Sequence, residues 1–333
     1  MQDFLRLSAE RRALLFEQAQ QILGLAPASI EKDFWVCWIL RELFSLPEWG
    51  TQFAFKGGTS LSKAWKIIQR FSEDVDVVID RQFLGFGGEL SRNRQKKLVQ
   101  ACSERIRTEV QPRLEGKLKE TLPSDLPFSL KMASVEEDSD QQTLLFQYPS
   151  TFAQNVSYLR PVVKIEMGAR GETEPAETRL ISPYLAEAYP DIIGPGSFTV
   201  RTISPRRTFW EKAMLLHEET YRPAGKVRRA RLARHYYDIW CLIQCGVATA
   251  AVDDEGLFER IAAHRELFFG YNWLDYSTLR KGCLRLTPLP DQLLGWKQDY
   301  EAMRGEMFMT EPPPFEVLLE AAAQFESDFN HSK

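Results

Sequence analysis

A strand that ends in two glycines and opens directly into a helix admits few folds, and residues 53–68, FAFKGGTSLSKAWKII, read that way. Paired glycines tolerate positive φ and let another segment approach the backbone closely. The helix that follows offers free N–H groups and the positive end of its dipole, a geometry suited to phosphate. Lys56, Gly57, Gly58, Thr59 and Ser60 are therefore candidate phosphate-binding residues, with hydroxyl donors added by Thr59 and Ser60. The pattern is not a P-loop, which needs Gly, four residues and then Gly-Lys-Ser/Thr; here Lys63 lies between Ser62 and Ala64. RHYYD at 234–238 likewise fails as a protein-kinase catalytic loop.

The next segment, SEDVDVVID at 72–80, alternates as a strand does. Asp74, Asp76 and Val78 share one face, and Val75, Val77 and Ile79 the other. Two carboxylates that close repel, and they do not both ionise unless a cation sits between them. Oxygen-only donors of this kind suit Mg²⁺ or Mn²⁺. A third carboxylate, Glu166, stands in the apolar strand VVKIEMGAR at 162–170, on the face opposite Ile165 and Met167. If that strand lies beside Asp74 and Asp76, the three carboxylates can hold two metals about 3.5–4 Å apart.

At about 150 residues per domain, 333 residues predict two domains. The expected fold is α+β: a core over 1–200 with a mixed β-sheet flanked by helices, and a helical C-terminal domain over 201–333. In the core, 8–45 reads as two helices capped by Ser8 and Ser29, and 91–118 as a basic helical stretch. The turn-rich 120–160 segment reads as antiparallel strands, and 198–204 as one more short strand. Hydrophobic residues at 44% and charged residues at 26% exclude a collagen, a disordered tail and a coiled-coil rod. No stretch approaches the roughly 18–20 apolar residues of a membrane span. MQDFLRLSAERR carries charges where a signal peptide is apolar. Five cysteines, an odd number with no second Cys/His pair at zinc spacing, read as reduced thiols. A cytoplasmic protein without a membrane partner is expected.

The net charge of -4 predicts no bulk attraction to polyanions, yet 201–234 holds ten basic and three acidic residues. That +7 stretch either contacts an RNA backbone or is a surface balanced by acidic sequence after it. Within it, Thr208 and Glu211 have the spacing of a capping box. Phe209, Ala213 and Leu216 would then be buried, with Lys212 off their stripe, either solvated or reaching a triphosphate. In the next helix Leu232, Tyr236, Ile239 and Ile243 make the core face. Asp238 falls opposite, with Arg231 and Arg234: it either pairs with Arg234 at the surface or orients Lys212 or an arginine toward phosphate.

Four blocks in order, KGGTSLSK, RFSEDVD at 70–76, TFWEKAMLLHEE at 208–219 and RHYYDIW at 234–240, resemble the AbiEii/AbiGii toxin family. EKDFWVCWILREL at 31–43 resembles that family's N-terminal helix, so the likeness spans residues 25–245, with RFSEDVD its most specific block. The family belongs to the nucleotidyltransferase superfamily of DNA polymerase β type and supplies toxins of type IV toxin–antitoxin and phage-abortive systems. The resemblance implies transfer of a nucleotide from an NTP to a hydroxyl of RNA, tRNA included, or of protein, with a cognate antitoxin as partner. It assigns the triphosphate to Gly57, Gly58, Thr59 and Ser60, and metal to Asp74, Asp76 and Glu166. Ser72 matches a serine of the family motif that can itself be modified, and Lys212 and Asp238 match later motifs. The rivals are a transferase of non-toxin role, modifying RNA or a small molecule, and a non-catalytic nucleotide-binding module; an intact Asp74/Asp76 pair argues against the latter.

Overall fold

A computed structural model describes residues 1–88, 90–152, 160–194 and 196–331. The chain divides into two compact units: Met1–Ala64 with Phe71–Ile203, and Trp65–Arg70 with Ser204–Lys333. Residues 65–70 thus group with the C-terminal helices, although the segments flanking them in sequence belong to the first unit.

The first unit is built on a seven-stranded mixed sheet. Its strands are β1 (Phe53–Lys56), β2 (Val75–Ile79), β3 (Ser129–Met132), β4 (Thr143–Gln147), β5 (Val162–Gly168), β6 (Ala176–Ile181) and β7 (Phe198–Ile203). They lie in the order β3-β4-β5-β2-β1-β7-β6. β2 runs antiparallel to β1 and parallel to β5, while β1 and β7 are parallel. This is the mixed sheet with helices that the sequence predicts. In β5 burial alternates strictly, with Val163, Ile165 and Met167 buried and Lys164 and Glu166 half-exposed. The antiparallel pair β3–β4 falls where strands were expected; residues 153–159 of that segment lie outside the described residues.

Helix Pro27–Phe44 is buried along most of its length, and Trp35 stacks on Tyr148 with ring centroids 5.5 Å apart. The basic stretch forms Arg92–Arg105, a π turn at Ile106–Val110, and Gln111–Thr121. Its buried residues, Leu98, Cys102, Ile106, Val110, Leu114 and Leu118, recur at every fourth position. Such a repeat drifts about 40° per step around a 3.6-residue helix, and the wider π turn takes up part of the drift.

Two helix starts differ from expectation for one reason. Helix Pro27–Phe44 begins a turn earlier than a Ser29 cap allows, and Ser204 rather than Thr208 caps helix Pro205–Thr220. Each has proline at its first position, where the missing N–H costs nothing and φ is already helical. Thr208 and Glu211 are therefore no capping box: the Thr208 hydroxyl donates to the Ser204 carbonyl at 3.4 Å, and Glu211 pairs with Arg207 at 3.0 Å. Ser8 does cap its helix, accepting from the Arg11 N–H.

The second unit is helical, with Trp210 at its centre, 4.8 Å from Phe258 and 4.9 Å from Phe329 between ring centroids. Residues 65–70 are tied into it: the Met309 N–H donates to the Gln69 carbonyl at 3.0 Å and the Gln69 N–H to the Tyr237 hydroxyl at 3.3 Å. No helix among the described residues is long and apolar enough to cross a membrane. All five cysteines are free.

Candidate active site

Strand register decides which side chains meet. Asp76 stands opposite Lys56 on β1 and opposite Glu166 on β5. Alternation puts Glu166 on the face opposite Ile165 and Met167; the parallel β2–β5 pairing puts it beside Asp76. Asp74 lies one residue before β2. A cleft of about 190 Å³ opens here, lined by Lys56, Asp76, Gln142, Glu166 and Arg170 among others.

Gly57 has φ +78°, and a Cβ there would lie 2.0 Å from Asp76 Oδ2. The turn therefore needs glycine twice over, for its backbone conformation and for the approach of the carboxylate. Thr59 and Ser60 are fully buried. The Thr59 hydroxyl donates to the Asp74 carbonyl at 2.5 Å and lies 2.8 Å from the Ser72 hydroxyl. The Ser60 hydroxyl donates to the Gly57 carbonyl at 2.8 Å. These two hydroxyls, expected to meet phosphate, instead lock the turn and tie it to the segment carrying Asp74.

Burial and the neighbouring charges of Glu166 and Glu73 push the Asp74 carboxyl up to about 6. Burial and Glu166 push Asp76 up to about 7, with Lys56 opposing the rise. Glu166 is ion-paired with Lys164, two residues away on the same face of β5. Burial alone would lower the Lys164 ammonium, but this pair and the charges of Asp74 and Asp76 raise it. Lys164 has a signal in the sequence, since its i−2 spacing to Glu166 puts both on one face of the strand. Among the described residues no group of three or more His, Cys, Asp or Glu side chains stands as a ready metal site. The donor chemistry nevertheless fits a hard divalent cation: oxygen ligands only, in a cluster whose mutual repulsion such an ion offsets.

Lys212 and Asp238 belong to the second unit, and neither is solvated. Asp238 is fully buried and bound at both oxygens by Arg70, at 2.7 and 2.8 Å. Lys212 Nζ lies 2.8 Å from Asp238 Oδ2 and 3.3 Å from His235 Nδ1. Burial alone would raise Asp238, but Arg70 and Lys212 hold it far below the carboxylate range. Burial, with the Lys212 and Arg234 charges, holds His235 well below its ordinary value. Of the two readings of Asp238, a pair lying at the surface does not hold, because the carboxylate is fully buried. Helix Arg234–Gln244 is buried around most of its circumference, so lying opposite the apolar stripe does not mean facing water. Arg70 had no signal of its own, because its partner is 168 positions away.

Much of the basic 201–234 stretch is internally matched. Arg206 pairs with Asp254, Arg207 with Glu211, and Arg222 and Arg228 with Glu219.

Comparison with known proteins finds the family that the four sequence blocks resemble. The family model for the nucleotidyl transferase AbiEii toxin, type IV TA system, matches residues 38–321. No curated protein matches the chain. Among solved structures, MenT4, a nucleotidyltransferase toxin from Mycobacterium tuberculosis H37Rv, is similar at 19% identity and a TM-score of 0.45, covering 96% of this chain and 90% of its own. With the family match running through most of the sequence, the chain belongs to the AbiEii family of nucleotidyltransferase toxins of type IV toxin–antitoxin systems.

Proposed function

We propose that this nucleotidyltransferase is metal-dependent and moves a nucleotide from an NTP to a hydroxyl of RNA, tRNA included, or of protein, releasing pyrophosphate. The observation that carries the reading is the register of Asp76 against Lys56 and Glu166, with Gly57 packed on the Asp76 carboxylate. Asp74, Asp76 and Glu166 would hold Mg²⁺ or Mn²⁺, Glu166 exchanging Lys164 for the ion. Bound there, the ion supplies polarisation of the α-phosphate and a lower pKa for the attacking hydroxyl. Backbone N–H groups of the Gly57–Gly58 turn hold the triphosphate, while Thr59, Ser60 and Ser72 keep the turn in place. Lys56 adds positive charge beside Asp76. Lys212 and Asp238 act as one group: burial lowers the Lys212 ammonium, and the Asp238 carboxylate opposes that lowering. The free cysteines fit a reducing compartment such as the cytoplasm. In the cell the activity arrests growth, a cognate antitoxin relieves it, and phage defence is the setting.

Incubation with each radiolabelled NTP and Mg²⁺, with total tRNA or with protein alone, tests this directly. Wild-type protein is expected to label one acceptor and Asp76→Asn none; full incorporation by a folded Asp76→Asn protein overturns the reading. Gly57→Ala should reduce transfer by about 100-fold or more, since a reacting group displaced by an ångström loses that much. Its rate on the labelled acceptor, beside an unchanged circular dichroism spectrum, checks this.

A further inference from the structure

Three consecutive charged residues near the start of helix Pro27–Phe44 are buried: Glu31 is 1% exposed, Lys32 4% and Asp33 4%. Charges go inside only where each has a partner, and here the partners come from five separate stretches of the chain. Glu31 accepts from the Ser150 hydroxyl at 2.5 Å and the Thr151 N–H at 2.8 Å. Lys32 Nζ lies 2.5 Å from Glu73 Oε2 and donates to the Arg160 carbonyl at 3.1 Å. Asp33 lies 2.7 Å from Lys63 Nζ and accepts from the Tyr184 N–H at 2.7 Å.

Two of these partners flank the candidate site. Glu73 immediately precedes Asp74, and Lys63 is the last residue of the helix that opens at Gly57. The same two segments are also joined by the Thr59 hydroxyl on the Asp74 carbonyl. We infer that Lys32 and Asp33 are positioning residues: from one turn of helix Pro27–Phe44, Lys32 fixes the direction in which Asp74 leaves its segment, and Asp33 fixes the glycine-turn helix against it. Neither touches the reacting groups. Lys32 holds the Glu73 side chain on the helix, so the backbone at 73–74 has one setting, and Lys63 is clamped between Asp33 and the Tyr184 ring, 3.4 Å from its centroid. The inference rests on the reading of Asp74 as a metal ligand.

Mn²⁺ alone, titrated into the full chain, tests it. Lys32→Met by itself leaves Glu73 unpaired and risks misfolding, so the decisive variant is the double substitution Lys32→Met/Glu73→Gln. It leaves net charge unchanged and replaces a buried ion pair by neutral groups, which is often neutral for stability. The double variant is expected to melt close to wild type yet bind Mn²⁺ about tenfold more weakly, the scale of losing a group that orients a metal ligand. Glu73→Gln alone strands the buried Lys32 and is expected to melt lower than the double variant. Wild-type Mn²⁺ affinity in the folded double variant overturns the inference. Unchanged Mn²⁺ binding by Asp74→Ala would instead overturn the metal reading beneath it.

Discussion

Asp238→Ala is expected to destabilise the second unit by about 3–5 kcal/mol, the cost of removing one partner from a buried ion cluster. Arg70 and Lys212 would both be left without their shared counter-ion, at 3% and 8% side-chain exposure. Replacing the whole cluster by apolar groups costs far less, because the damage comes from stranded charge and not from a lost attraction. The pH dependence has a definite sign. The native Asp238 carboxyl sits far below its unfolded value, so its contribution is present above about pH 4 and is lost only as pH falls toward the depressed native value. Wild-type protein should therefore keep this stabilisation at neutral pH, and Asp238→Ala should lack it there. Urea unfolding at pH 7 checks the magnitude. A loss below about 1 kcal/mol, the range of an exposed pair, would mean that the cluster is hydrated.

The second large effect has the opposite sign. In EDTA at pH 8, Asp76→Asn is expected to be more stable than wild type by on the order of 3 kcal/mol while losing nucleotide transfer altogether. The Asp76 carboxyl is raised from 3.8 to about 7 in the native state, first by burial and then by Glu166. The folded protein thus holds a proton that the unfolded chain has released, and wild-type stability falls as pH rises from about 4 through about 7. Asparagine carries no charge and removes that slope. Melting curves of both proteins from pH 5 to pH 8, without divalent ions, give the comparison. A wild-type protein as stable as Asp76→Asn at pH 8 would mean that Lys56 already neutralises the cluster. The pairing of higher stability with lost activity is what a site strained for function predicts.

Local pattern made half of the site legible. The strand, glycine turn and helix at 53–68 were readable because each step has its own local chemistry, and Asp76 and Glu166 could be given faces because strands alternate with period two. Helix caps were less legible where proline at the first position moved the start upstream. The amphipathic reading failed for Lys212 and Asp238, since helices Pro205–Thr220 and Arg234–Gln244 are buried nearly all round and carry charge inside. A stripe argument assumes one wet face, and these helices have little of one. The burial of Lys32 and Asp33 had no local signal, because their partners come from segments far off in the chain.

By itself, then, the sequence determined the elements, the residue types at the turn, and the carboxylates available for chemistry, because those follow from short-range sterics and alternation. Only the tertiary structure decided which of them meet. The parallel pairing of β2 with β5 put Glu166 beside Asp76, and packing turned the Thr59 and Ser60 hydroxyls inward. The partners of Asp238 and Lys32 come from segments far off in the chain, where a charge in a dry interior is stable only against an opposite one.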